Sequence, residues 1–450
     1  MYIKKQPDKN FTPSLLRLAL PMAMQSLMLA SVAAADAIML VSIDQDSMSA
    51  VSLASKVQFL QNMILSSIIS AVVVLGAQYW GKKDRKSIEN IFFIGLRLCS
   101  VTSIVFFAIC CFLPDIVMKL LTSDPGLQGL GTEYLKIAAW SYLLTGISQS
   151  FQSLLKVSDR VKTTAIISSV TVAANIVLNA VFIYGLCGVP AMGHKGAAIA
   201  TLIARVGEVL WSVIISYTRG GFRPNIAGLF HYNKLLSLDF AKCVLPLAGA
   251  GLLWSVGITA YASFMGHLDG DATAAYSICS TVCELCCCAC NGLASGGGIL
   301  VGNELGAGNL DRGKQYGCRI AKIGIVCGLL TSLLVLVITP FLMKFATLTE
   351  AARKDLLSLM LVLAVYIFGR AYNTIIINGI FYSGGDAVFD PVSLAVTMWC
   401  IAIPLAALGT YVFGWPPALV YACTCLDEVG KIPIVIIHFK KYKWVKDLTR

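Results

Sequence analysis

The chain has 450 residues, of which 57% are hydrophobic and only 13% charged, with a formal net charge of +11. Its mean hydropathy of +0.77 excludes a soluble globular protein. The positive balance is read as membrane topology and contact with lipid headgroups rather than as a nucleic-acid site.

Taken in order, the chain opens on a short polar stretch, MYIKKQPDKNFTPS, followed by an apolar run of 29 residues from Leu15 to Ile43. That run exceeds the roughly 20 residues a helix needs to cross a bilayer, and it is too long for a signal-peptide core. Pro21 lacks the N–H that the preceding turn would receive, so a bend is expected there. Asp36 is the sole acid of the run. An ionisable group inside a span is costly and marks a functional site. Its plainer reading is a carboxylate near the headgroups.

Eleven further apolar segments follow, near 48–79, 90–113, 132–155, 162–187, 194–217, 240–266, 273–301, 315–346, 354–382, 389–412 and 415–438. The polar stretch Gly76 to Asn90 reads as a loop on the inside. Asp44, Asp46, Asp269 and Asp271 read as turns and caps between the first two spans of each half. Sorting cations by side places 23 in the even-numbered loops and termini and 5 in the odd-numbered loops, which puts both termini in the cytoplasm. Six of the 16 cysteines fall between Cys279 and Cys290. They lie inside an apolar span with no second cluster to close a tetrahedron, so they read as small residues that let helices approach.

Sliding the sequence on itself by 225 residues brings Leu20-Pro21 onto Leu245-Pro246 and gives 6 identities in the 14 positions from 44 to 57. Gly81 falls on Gly306, Ser158 on Ser383 and, after a five-residue deletion, Glu208-Val209 on Glu428-Val429. The expectation is an all-α polytopic membrane protein with twelve transmembrane helices in two six-helix lobes related by pseudo-two-fold symmetry. The N-lobe would span 1–218, a cytoplasmic linker 219–239 and the C-lobe 240–450. Parallel repeats of this kind are a transporter architecture, with substrate bound between the halves.

Several motifs carry a resemblance. They are Leu20-Pro21 followed by Asp36, GAQYWG at 76–81, VGNELGAG at 301–308, NIVLN at 175–179 and GAAIAT at 196–201. Together they make the chain resemble the MATE (multidrug and toxic compound extrusion) family over essentially its whole length, closer to the DinF-like than to the NorM-like branch. The resemblance implies export of cationic or amphipathic small molecules in exchange for H⁺ or Na⁺, with no other cofactor. It implies a coupling site around Asp36, with Asn175 and Asn179 as the polar pair of the fifth helix, and Tyr134 and Thr201 as further members. Asn179 departs from relatives that carry Asp there. Asp36 would be a metal ligand only if Na⁺ is the coupling ion.

The residues support the same grouping independently. Asp36 and Asn179 lie seven and eight residues from the outer ends of their spans, so both sit roughly 10–12 Å deep. Asn175 and Asn179, four apart, share a helix face. In the second half Asp36 falls on Tyr261, and the tenth segment offers Asn373 and Asn378 but no acid at mid-depth. One acid, Glu284, stands near the centre of the eighth span as a substrate contact or second cation site, or else as a protonated glutamate on a backbone carbonyl. Lys56 is expected either to snorkel or to pair with Asp36. Arg205 with Glu208, one turn apart, reads as structural.

The leading function is a cation-coupled antiporter, H⁺ before Na⁺, acting by alternating access as a multi-pass xenobiotic transporter of the plasma membrane (a cell inner membrane). It is expected to work as a monomer with membrane lipid and a small-molecule substrate as partners. A lipid-linked sugar flippase of the same superfamily is the alternative within transport. A membrane enzyme would need a His/Asp or paired-acid constellation at one depth, and His194, His231, His267 and His438 fall in loops or at a helix end.

Overall fold

The computed structural model describes residues 10–41, 45–186, 188–218, 222–225, 228–229, 233–345 and 348–449, without the side chains of 32–38, 40–41, 45 and 345. Among the described residues every regular element is helical. The order is α1 Phe11–Val41, α2 Gln45–Gly81, α3 Arg85–Phe112, α4 Pro114–Leu121, α5 Pro125–Val157, α6 Val161–Tyr184, α7 Gly193–Tyr217 and α8 Lys234–Leu268. Then come α9 Gly270–Gly306, α10 Leu310–Phe345 and α11 Glu350–Thr374, which runs into a π-helical stretch, Ile375–Phe381. After them follow α12 Phe389–Leu394, a second π-helical stretch Ala395–Ala402, α13 Ile403–Tyr411, α14 Pro417–Thr424, α15 Leu426–Val429 and α16 Ile432–Lys440.

Among the described residues, ten helices are long and apolar enough to cross a membrane. Two expected segments depart from that pattern. The fourth, α5, buries Ser141, Thr145, Ser148, Ser150, Gln152 and Ser153 along one helix, and its hydroxyls bond back to carbonyls three or four residues earlier. The twelfth is three short helices, α14 to α16, interrupted at Cys425 and Gly430. The inside loop expected from Gly76 to Asn90 is shorter than the sequence suggested, since only Lys82, Lys83 and Asp84 separate α2 from α3. Asp84 caps α3 by accepting from the Ser87 N–H at 3.1 Å, so the polar stretch forms helix ends. Between the first two spans of the second half, Asp269 accepts from the Ala272 N–H at 2.5 Å and caps α9.

The chain divides into two compact units. One holds Leu27–Gly76 and Asp84–Gly251. Its core gathers Tyr134, Leu135, Ala138, Ala139 and Tyr142 of α5 with Ile183 of α6 and Ala197 and Ala198 of α7. The buried Gln61 of α2 donates to the Tyr142 carbonyl at 2.9 Å.

The other unit holds Met1–Ser26, Ala77–Lys83 and Leu252–Arg450. Its core runs from Phe11, Leu15 and Ala19 of α1 through Cys290 and Ala294 of α9 to Ile376, Ile380 and Trp444. The two motif glycines that the half-chain shift superposes permit one close approach. A Cβ on Gly81 would lie 1.9 Å from the Asn303 carbonyl oxygen, and one on Gly306 would lie 1.9 Å from that of Gln78. Only glycine lets the ends of α2 and α9 meet at that separation. The cysteines between Cys279 and Cys290 are buried on α9 as small packing residues. Ile325, Val326, Leu329, Leu330, Leu333 and Val337 leave α10 with an exposed apolar face. Such a face suits lipid, where exposed apolar side chains carry no penalty.

Candidate functional site

In the unit built around α5, the fifth and sixth spans hold a one-way chain of hydrogen bonds. The Asn179 amide donates to Asn175 Oδ1 at 3.4 Å, and the Asn175 amide donates to Thr201 Oγ1 at 3.4 Å. The Thr201 hydroxyl then donates to the Ala197 carbonyl at 3.0 Å. The four-residue spacing on α6 stacks the two amides on one face, and the small residues of GAAIAT let α7 come close enough to receive them. Asn175 and Asn179 are both buried. Tyr134 lies in the same buried cluster as Ala197. So Asn175, Asn179 and Thr201 are joined directly and Tyr134 belongs to their surroundings. Asp36 is on α1, but its side chain lies outside the described residues. Lys56 is exposed on α2.

A second polar group of the same unit centres on Glu208. Its Oε1 accepts from Gln152 of α5 at 2.6 Å and its Oε2 from Arg205 at 2.5 Å. Ser168 of α6 donates to Gln152 Oε1 at 3.4 Å. Both carboxylate oxygens are therefore partnered inside the apolar bundle, the condition under which a buried charge persists.

The other unit corrects the expectation that Glu284 is the one remaining acid of the second half. Asp390, Asp427 and Glu428 are all buried there, on α12 and α15. Asn373 of α11 donates to both the carbonyl oxygen and Oε2 of Glu428 at 2.7 Å. Lys431, 2% exposed, reaches Glu428 Oε1 at 3.5 Å. Tyr382 donates to Asp390 in a short bond, and Tyr261 of α8 donates to Asp427 Oδ2 at 3.3 Å. One signal could have revealed the group in advance. The repeat superposes Glu428 on Glu208, and each has a cation three residues away, Arg205 before one and Lys431 after the other.

Glu284, expected as a mid-span acid, has a basic partner. It is ion-paired with Arg370 at 2.7 Å and remains 56% exposed, whereas Arg370 is 13% exposed. Arg370 also donates to Cys283 Sγ at 3.1 Å and lies over the Trp254 ring at 5.8 Å.

The MatE family model matches this chain twice, over residues 21–181 and 246–408. The two matches begin at Pro21 and Pro246, the pair that the half-chain shift superposes, and together they take in more than half of the sequence. The chain belongs to the MATE family. Its relatives include an uncharacterized transporter, YisQ, of Bacillus subtilis, 22% identical over 447 residues that cover 99% of this chain and 97% of the relative. A probable multidrug resistance protein, NorM, of Thermotoga maritima is 22% identical over 452 residues, covering 99% and 96%. Among solved structures, a MATE protein crystallised with MaL6 superposes with a TM-score of 0.88 at 16% identity, covering 96% of each chain. A MOP-superfamily transporter from Pyrococcus furiosus, described as having reversed polarity of its binding pocket, gives 0.86 at 15% identity, covering 98% of this chain. These likenesses fix the all-helical, two-lobed membrane fold expected from the sequence. The MATE assignment makes the protein a multi-pass membrane transporter of small molecules, in a family of transporters rather than enzymes.

Proposed function

We propose that this MATE protein is a proton-coupled antiporter that exports cationic or amphipathic small molecules by alternating access, and that it stands closer to the DinF-like than to the NorM-like branch. The observation that carries the reading is the buried chain from Asn179 through Asn175 to Thr201. It occupies the first-half positions where the DinF-like resemblance locates coupling, while α11 carries Asn373 rather than an acid at mid-depth. In this reading Asp36 is the group that exchanges charge. An apolar membrane interior disfavours an ionised carboxylate and a bound cationic substrate favours it, so proton and substrate compete for one group. A proton entering from outside neutralises Asp36, releases the substrate and lets the two halves reset about the 219–239 linker. Both termini are then cytoplasmic, as the distribution of cations supports.

Sodium is the rival coupling ion, with Asp36, Asn175 and Asn179 supplying oxygens. Efflux of a fluorescent cation from cells at fixed pH, with sodium present and absent and with an uncoupler, separates the two. Proton coupling predicts efflux that collapses with the uncoupler and ignores sodium. At matched expression, Asp36→Asn should abolish coupled export and Asp36→Glu should keep part of it. Full export by Asp36→Asn at every pH would move the coupling site elsewhere.

A further inference from the structure

We infer that Asp427 is a second proton-binding residue, housed in the second half of the chain with Tyr261 as its hydrogen-bond donor. The inference deepens the proton-coupled reading and rests on it for its part in the cycle, but the site itself is testable without transport.

The argument is a count of donors and acceptors. Glu428 has both carboxylate oxygens partnered, by Lys431 and Asn373. Asp390 has Tyr382. Asp427, 1% exposed, has Tyr261 on Oδ2, and its Oδ1 has no partner. Asn373, also 1% exposed, has its amide hydrogens engaged by residue 428, and its Oδ1 has no partner either. Two buried acceptors are thus left without a donor, on Asp427 and on Asn373, the latter bonded to the residue that follows Asp427. Buried acceptors left unmade are costly. A proton on Asp427 is the smallest addition that turns one acceptor into a donor.

The charge count points the same way. Three buried acids, Asp390, Asp427 and Glu428, face one buried lysine. Among the described residues Lys431 is within ion-pair distance of Glu428 alone, and Arg370 of Glu284 alone. The groups within electrostatic reach of Asp427 are Tyr261, Tyr366, Arg370, Cys425, Glu428 and Lys431. If every acid were ionised, the group would carry net negative charge in an apolar interior, which burial penalises severely. Yet the ionised form is not forbidden. Tyr261 donates to it, and Lys431 and Arg370 lie near enough to offset its charge, so the proton is exchangeable. Two π-helical stretches flank the site. Ile375–Phe381 begins two residues after Asn373, and Ala395–Ala402 follows Asp390. Such stretches recur at functional sites because they reset the register of the helix around them.

The test is infrared difference spectroscopy on the purified full-length protein in lipid nanodiscs, titrated with pH in H₂O and D₂O. The parent should show a titrating carbonyl-stretch band of a buried protonated carboxyl. Asp427→Asn should remove that band, and Asp36→Asn should leave it. Tyr261→Phe should keep the band but raise its frequency, because the carbonyl oxygen loses a donor. If Asp427→Asn does not fold, Asp427→Glu should move the band, and a band unmoved by that change overturns the assignment. So does a band that survives Asp427→Asn, or one that responds to sodium rather than pH. Failure of Asp36→Asn to disable efflux would refute the first-half coupling reading and leave this band untouched, so the two outcomes are separable.

Discussion

Arg205→Met should destabilise the protein by about 3 kcal/mol, a value that follows from the partners of Glu208. Breaking a buried ion pair by removing one member costs about 3–5 kcal/mol, because the other charge stays buried and unmatched. Glu208 is 5% exposed and Arg205 20%, so the lower end of that range applies. After the change Glu208 keeps only the Gln152 amide at 2.6 Å. The double variant Arg205→Met/Glu208→Leu removes both charges and should recover much of the loss. What remains is the loss of the Gln152–Glu208 hydrogen bond, about 1 kcal/mol. The triple variant adding Gln152→Leu should return close to the parent. The assay is denaturation in mixed detergent micelles followed by tryptophan fluorescence, with Trp211 three residues from Glu208 as a local reporter. A cost below about 1 kcal/mol for Arg205→Met would refute the reasoning, as would a double variant no better than the sum of its two singles.

Gly306→Val forces a side chain onto the Gln78 carbonyl 1.9 Å away and should lower the thermal midpoint in detergent sharply, whereas Gly266→Ala, with nothing within 4 Å, should leave it unchanged. Trp444→Ala empties a fully buried indole site against Gly317 and Phe439 and should cost about 3–5 kcal/mol, read in the same denaturation assay. Asp269→Ala removes the cap of α9 and should cost about 1 kcal/mol, most of it recovered by Asp269→Asn. Asn175→Ala breaks both bonds of the α6–α7 chain and should cut efflux at least tenfold with the amount of folded protein unchanged; unchanged efflux would detach the chain from transport.

The spans and the repeat were legible because hydropathy and self-similarity act over tens of residues. Gly81 and Gly306, matched by the shift, prove to be the two residues that let α2 and α9 meet. Single side chains that decide a site are harder to see. Asp427 and Glu428 sit in the apolar run 415–438, and a window average hides two acids among Val, Leu and Ile. The run breaks into α14, α15 and α16; Gly430 and Pro433 signal the second break, but nothing at Cys425 signals the first. Glu284 was visible as a mid-span acid, but its partner Arg370 stands 86 residues away, so pairing waited on tertiary structure. In the first half, the four-residue spacing of Asn175 and Asn179 was enough to place them on one face, because helical geometry alone fixes it.

The two halves share a scaffold and differ where charge can move. In each, a glutamate of the last span is held by an amide of the fourth: Gln152 holds Glu208 and Asn373 holds Glu428. Each glutamate also keeps a cation three residues away. Groups saturated in this way are poor places for a proton to come and go, since every oxygen already has a donor. The two acids proposed to exchange protons lie outside the shared pattern, and they do not coincide. Asp36 in the first half falls on Tyr261 in the second, and Asp427 in the second falls, after the five-residue deletion, on Gly207 in the first. Tyr261 is the very residue that donates to Asp427. In the proposed reading the second half carries its exchanging acid on the last span rather than the first, with the first span supplying the donor. If that exchange of positions is functional, moving the acid back should show it. In Tyr261→Asp/Asp427→Gly, each of these two positions takes the residue its first-half counterpart carries, and a titrating carboxyl should remain in the infrared spectrum. In Tyr261→Phe/Asp427→Gly it should be absent. Identical spectra for the two would mean that depth in the bundle, rather than this pairing, governs the proton.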